Sequence, residues 1–188
     1  MPTILRAASL VDVPWKNGGG VTREITSGPP GASLDAFAWR LSVADVSADG
    51  AFSAFAGVDR VLVLLDGAGM RLAEASGRVH VLDQPLAMAR FAGETPIHAS
   101  LLDGPTRDFN VMVRRGRARA SVDIRRGASR EIGAGHDLTF VHCVSGSLAV
   151  DADGTTLGPG DTLCIDRAAL RVEAAADSAW LYIGIDLL

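Results

Sequence analysis

Turn residues punctuate this sequence at short, nearly even intervals. Glycine, often next to Asp, interrupts the chain about every eight to fifteen residues, and Val-, Leu- and Ile-rich runs fill the gaps. Little in it reads as a long helix, because the apolar runs end before a 3.6-residue period is established. The pattern is that of many short strands in a sandwich or barrel. The runs predicted as strands are 4–11, 21–26, 36–43, 60–66, 69–73, 78–82, 86–91, 97–102, 108–114, 120–125, 137–145, 147–151, 162–166, 169–174 and 179–185. Residues 45–55 read as a helical turn or a loop.

The order of elements recurs. Val61-Leu62-Val63-Leu64-Leu65-Asp66-Gly67 leads to Met70-Arg71-Leu72, a turn at Gly77, and a run containing Pro85. Later, Phe140-Val141-His142-Cys143-Val144-Ser145-Gly146 leads to Leu148-Ala149-Val150, a turn at Gly154, and Leu157-Gly158-Pro159-Gly160-Asp161-Thr162-Leu163. Such self-similarity in an all-β chain points to two copies of one unit. The second corner resembles that of the cupin superfamily, where Gly and Pro permit a tight bend and Asp caps the turn. The expected fold is therefore all-β, with two cupin-like (RmlC-like jelly-roll) barrels in one chain, a bicupin. The break is expected near Gly116, giving an N-terminal barrel over 1–114 that holds the ligand pocket and a C-terminal barrel over 115–188. The N-terminal strand is left free to cross between them.

A chain of 188 residues that is 48% apolar and 21% charged has ample surface to bury and needs neither disulfide nor metal to hold a core. Its net charge, 18 − 22 = −4, argues against nucleic acid, whose binders neutralise phosphates. Arg114, Arg115, Arg117, Arg119, Arg125 and Arg126 lack interleaved aromatics and read as a solvated connection. Apolar stretches such as 61–65 fall far short of the ~20 residues that cross a bilayer, and the first ten residues carry no long apolar segment. The expectation is a cytoplasmic protein without a membrane partner. Cys143 and Cys164 read as reduced core thiols.

Metal binding is not expected. Many cupins hold a metal with a His-x-His pair, a Glu and a later His. The four histidines here, His80, His98, His136 and His142, form no His-x-His, and Arg60 stands near where the first copy would need its ligands. No cofactor is expected either.

The scarce residues locate the chemistry. Lys16 is the one lysine against seventeen arginines, and Asn17 and Asn110 are the two asparagines. Where Lys and Asn have been replaced so widely, the exceptions mark positions that need them. Lys16 and Asn17 lie in Pro14-Trp15-Lys16-Asn17-Gly18-Gly19-Gly20, a loop whose glycines let backbone N–H groups approach an anion. The strand after it alternates, with Thr22, Glu24 and Thr26 on one face. Asp108, Asn110, Met112 and Arg114 share one face of a later strand. In a barrel such a face lines a cavity, where Arg pairs a carboxylate and Asn reads an amide or a second oxygen. Asp59 and Arg60 are expected to form an ion pair at a strand mouth.

Pro14-Trp15-Lys16-Asn17-Gly18-Gly19-Gly20-Val21-Thr22-Arg23-Glu24-Ile25 resembles the hallmark of the HutD/Ves family. Phe55-Ala56-Gly57-Val58-Asp59-Arg60 and Asp108-Phe109-Asn110-Val111-Met112-Val113-Arg114-Arg115 follow in the matching order, and the resemblance covers roughly residues 1–185. It implies a metal-free bicupin. Histidine-utilisation members of that family are encoded with the enzymes that degrade histidine through urocanate to formylglutamate and glutamate. The resemblance further implies binding of a pathway intermediate in a regulatory role rather than catalysis of a step. The expected partner is a small anionic metabolite, formylglutamate or a related acid, and a homodimer is compatible with the fold.

In this reading Lys16 and the Gly18–Gly19 backbone hold a carboxylate with Arg60 or Arg114, and Asn17 and Asn110 orient it. Trp15 forms a wall, Thr22 and Glu24 touch the ligand or steady Lys16, and Asp108 and Met112 complete the face. Two alternatives stay open. One is a metal-independent isomerase, lyase or hydrolase acting on a small carboxylic acid, with Glu24 or Asp108 as base and Lys16 as acid or electrostatic stabiliser. The other is a protein-interaction module.

Overall fold

The computed structural model describes residues 2–133, 135–150 and 154–188. In chain order the strands are β1 Thr3–Leu5, β2 Asp12–Pro14, β3 Gly20–Gly28, β4 Trp39–Val46, β5 Gly50–Ala51, β6 Val58–Asp66, β7 Met70–Glu74, β8 Val79–Leu82, β9 Met88–Ala92 and β10 Ile97–Leu101. They continue as β11 Thr106–Arg114, β12 Ala118–Arg126, β13 Ser129–Gly133, β14 Leu138–Ser145, β15 Leu148–Val150, β16 Thr155–Leu157, β17 Thr162–Asp166, β18 Ala169–Ala174 and β19 Ala179–Leu187. One 3-10 turn, Ala7–Ser9, interrupts the run expected to be a single strand over 4–11. The segment 45–55 holds no helix: β4 runs on to Val46 and β5 follows. The run expected at 147–151 ends in Asp151, which lies outside the described residues.

The chain divides into two compact units, Val11–Arg117 and a second that joins the residues through Leu10 to Ala118–Leu188. In the first, a six-stranded sheet of order β2-β3-β4-β11-β6-β9 accompanies a four-stranded sheet of order β5-β10-β7-β8. In the second, the orders are β1-β17-β14-β19-β12 and β13-β18-β15-β16. Eight strands of each unit therefore pair in the same order, β4–β11 in one and β12–β19 in the other. β1 enters the second unit by pairing with β17, Ile4 opposite Leu163.

Alternation along β6 explains the interior of the Val11–Arg117 unit. Leu62 and Leu64 point to one face and join Val46, Met70, Leu72, Leu82, Phe91 and Ile97 in a core cluster. Each such side chain contributes about 1.5–3 kcal/mol by leaving water. Val61 and Val63 point the other way and are buried as well, as are both faces of β4 and β11 through Leu41 and Ser42, Phe109 and Asn110. Ser42, Asp108 and Asn110 in the middle of these strands are thus held away from bulk water. The second unit packs Val141, Cys143, Leu163, Ile165 and Trp180 into its own core. Cys143 and Cys164 are both free, the first buried and the second half-buried.

Candidate functional site

One cavity of about 530 Å³ opens in the Val11–Arg117 unit. That volume suits a small metabolite. Three neighbouring strands give its floor by register. Asn110 of β11 lies opposite Ser42 of β4 and Leu62 of β6, and Met112 lies opposite Arg40 and Arg60. Arg60, Asn110 and Asp108 therefore form a diagonal across β6 and β11 on one face. The turn between β2 and β3 brings Trp15, Lys16 and Asn17 to the rim, and the segment after β5 adds Phe52, Ser53 and Phe55.

The floor is a connected chain of polar groups. Arg60 Nη2 donates to Asn110 Oδ1 at 2.8 Å, and Asn110 Nδ2 donates to Asp108 Oδ1 at 2.9 Å. Arg60, Asn110 and Asp108 are only 7%, 5% and 1% exposed. The Arg60 guanidinium lies over the rings of Phe52, Phe55 and Phe91 at 5.3, 5.7 and 5.1 Å. Three aromatic faces stabilise a cation that has lost its water. Burial pulls Arg60 down to about 10, which leaves it charged at neutral pH. Burial pushes the Asp108 carboxyl up to about 7, against the opposing pull of Arg60. Around neutrality the site thus gives up part of its one buried negative charge while keeping its buried positive one.

Arg40 adds a second cation. Its Nε donates to Glu24 Oε2 at 2.6 Å, and its Nη1 reaches Ser42 Oγ at 3.4 Å. Trp15 is held as a wall by donating from Nε1 to Thr22 Oγ1 at 2.8 Å, and Gly20 lies beneath its ring, where a Cβ would come within 3.1 Å of the indole.

Of the residues singled out in the sequence, Trp15, Lys16, Asn17, Thr22, Arg60, Asp108, Asn110 and Met112 line this one cavity. Lys16 and Asn17 are exposed at its rim. Four others lie outside the lining. Gly18 and Gly19 spend their N–H groups inside the turn, on Trp15 O at 3.0 Å and Asn17 Oδ1 at 3.1 Å, so neither is free for an anion. Glu24 is 44% exposed and steadies Arg40 and Ser27 rather than Lys16. Arg114 donates to the carbonyls of Phe37, Asp35 and Ala56 and lies over the Phe37 ring, which ties loops together. The expected Asp59–Arg60 ion pair does not form: adjacent residues of a strand point to opposite faces, and Asp59 pairs with Arg115 instead.

Arg40, Ser42, Phe52 and Ser53 were not singled out. The signal for the first two is alternation, since Arg40-Leu41-Ser42-Val43-Ala44 places polar groups on one face of a strand that is otherwise apolar.

Among the described residues, no three His, Cys, Asp or Glu side chains converge as a metal-binding group. His80 pairs with Glu74, His136 with Asp186, and the buried His142 with Thr162 Oγ1.

The HutD family profile matches residues 7–182. An uncharacterised 21.2 kDa protein from the hutC 3′ region of Pseudomonas putida is 43% identical over 127 residues, and Protein Ves of Citrobacter koseri is 38% identical over 130. Each alignment spans 68% of this chain, and 66% and 65% respectively of the relatives' own lengths. The structure of HutD from Pseudomonas fluorescens SBW25 superposes over the whole of both chains, with a TM-score of 0.88 and 32% identity. More distantly, oxalate decarboxylase of Lactobacillus farciminis shares the fold, with a TM-score of 0.65 and 10% identity over 97% of this chain and 85% of that one. That likeness describes a cupin-like all-β fold and says nothing of activity. On the extent and identity of these matches, the chain belongs to the HutD family.

Proposed function

We propose that this protein is a metal-free bicupin of the cytoplasm that binds a small organic anion and regulates histidine utilisation without transforming the ligand. In this reading each unit closes as a barrel and the Val11–Arg117 unit carries the pocket. Formylglutamate or a related acid of that pathway is the ligand. The hutC-region relative in Pseudomonas putida supports the pathway. The observation that carries the chemistry is the buried Arg60 guanidinium at the floor of a cavity that Arg40 and Lys16 also line. A desolvated cation with aromatic support binds a carboxylate far more strongly than an exposed one.

Three charge-assisted contacts of about 1.5–3 kcal/mol each give up to about 9 kcal/mol, which an association cost of at least about 4 kcal/mol reduces to binding of roughly 0.2 mM or weaker. The test is a thermal-melt screen with formylglutamate, urocanate and glutamate. At least one is expected to raise the midpoint, with a smaller shift in Lys16→Ala. An unchanged midpoint with every acid, or equal shifts in the variant, contradicts the reading.

A second reading is favoured by one feature. Asp108 is a buried carboxyl titrating near neutrality inside a cavity, as a general acid or base requires. Here the protein is a metal-independent isomerase, lyase or hydrolase. Glu24 lies outside the cavity, so the proton-transferring role falls to Asp108, with Lys16 at the rim. Turnover of one of the same acids that is abolished in Asp108→Asn supports this reading. Bound acid recovered unchanged after prolonged incubation rejects it.

A further inference from the structure

Two side chains that line the cavity each bury a polar atom with no hydrogen-bond partner. Asp108 Oδ2 and Arg60 Nε are buried without hydrogen-bond partners, although the other ends of both side chains are engaged through Asn110. Each bare atom costs about 1–3 kcal/mol, so a ligand that satisfies both gains from each. Both residues line the same hollow.

The two atoms make unequal demands. Arg60 Nε always donates, whereas Asp108 Oδ2 donates only when it carries a proton. Against an incoming carboxylate, an ionised Asp108 sets lone pairs against lone pairs in a dry site. A protonated Asp108 adds a short, charge-assisted O–H···O contact instead.

We propose that the site takes up its acid together with one proton from solvent, held on Asp108 Oδ2 and donated to a ligand carboxylate oxygen while the other carboxylate oxygen accepts from Arg60 Nε–H. This rests on the anionic-ligand reading above. The charged groups around Asp108 agree with it. β6 presents Arg60 and β4 presents Arg40, while the β2–β3 turn adds Lys16 at the rim. Asp45 of β4, paired with Arg23 and Arg107, adds a like charge that favours the neutral acid. β3 contributes Thr22, and the segment after β5 contributes Phe52, Ser53 and Phe55, none of which titrates. The empty site releases its proton near neutrality, and a bound anion holds it to higher pH.

The experiment is titration calorimetry of the full chain with N-formylglutamate and with glutamate, neither of which titrates between pH 6 and pH 8. Each titration is run in two buffers of unlike ionisation enthalpy, MES and Bis-Tris at pH 6 and HEPES and Tris at pH 8. The expected result is net proton uptake on binding that is larger at pH 8 than at pH 6, with affinity falling as pH rises by at most about tenfold per pH unit. Asp108→Asn keeps a neutral side chain of the same shape. It should bind with buffer-independent heat and equal affinity at both pH values. Binding by the wild-type protein at pH 8 without proton uptake overturns the proposal and leaves the anionic-ligand reading standing. Absence of heat with both acids at both pH values overturns the two together. The wild-type buffer comparison decides the question even if the variant does not fold.

Discussion

At the residue scale the polar floor sets both chemistry and stability. The ordinary carboxyl value of 3.8 rises to about 7 for Asp108 in the folded chain. The folded state therefore holds a proton that the unfolded state has released, and stability is greatest below about pH 4 and is lost as pH rises through 7. Asp108→Asn should be more stable than wild type at pH 8, by about 2–4 kcal/mol, with the gap closing toward pH 4. Urea unfolding at the two pH values checks this, and a gap independent of pH contradicts it. Arg60→Met should abolish acid-induced melting shifts. Its effect on stability should be modest, about 1–3 kcal/mol for the orphaned Asn110 Oδ1, offset by relief of a buried charge. Calorimetry on the variant reads both. Lys16, Asn17 and Asn110 were legible because they are rare in this chain. Arg40 was not, because arginine is the chain's ordinary cation and its presence singles out no position.

Elements place these residues, and small side chains make the placement possible. Gly20 begins β3 beneath Trp15, and a Cβ there would meet Asp45 O at 2.6 Å. Gly20→Ala should cost about 1–3 kcal/mol and weaken acid binding by shifting the Trp15 wall. Gly50 of β5 has open space around its Cβ direction and no left-handed φ, so Gly50→Ala should leave stability unchanged or raise it by about 0.4–1 kcal/mol. Paired thermal melts of the two variants test the contrast. Equal losses would mean that crowding at Gly20 does not hold the wall. The period-two alternation of β6 and β11 was readable in sequence, and so was the polar face of β11. The short strands β2, β5, β13 and β16 were not, since two to five residues carry little period; β5 and β13 form by pairing with the distant β10 and β18, and β2 and β16 by closing hairpins with β3 and β15. Glu24 shows the limit of alternation. It shares a face with Thr22, but β3 shifts register between Glu24 and Thr26, and the carboxylate reaches Arg40 instead of entering the hollow.

Across the whole molecule, two buried titrating groups oppose each other. His142, in the unit that includes Ala118–Leu188, is pulled by burial from 6.5 to about 4, with Asp161 opposing. A lowered histidine contributes stability above pH 6.5 that is lost as pH falls through 4, the reverse of Asp108. Between about pH 4 and 6.5 the two slopes are opposite and nearly cancel, so these groups should leave unfolding free energy almost flat there and lower it as pH rises through 7. His142→Gln should remove the opposing slope, so that stability falls by about 1 kcal/mol per pH unit from pH 4 toward 7, and a profile unchanged from wild type contradicts the assignment. The repeat of elements was visible in sequence and returns as one strand order in both units. The pairing of β1 with β17 was not visible, because nothing local marks a partner about 160 residues away. Anion binding in this one hollow, on one buried cation, is tested by a crystal structure from crystals soaked in N-formylglutamate. The expected result is a carboxylate within hydrogen-bond distance of the Arg60 guanidinium and Asp108. Density for the acid elsewhere, with only water beside Arg60 and Asp108, would contradict it.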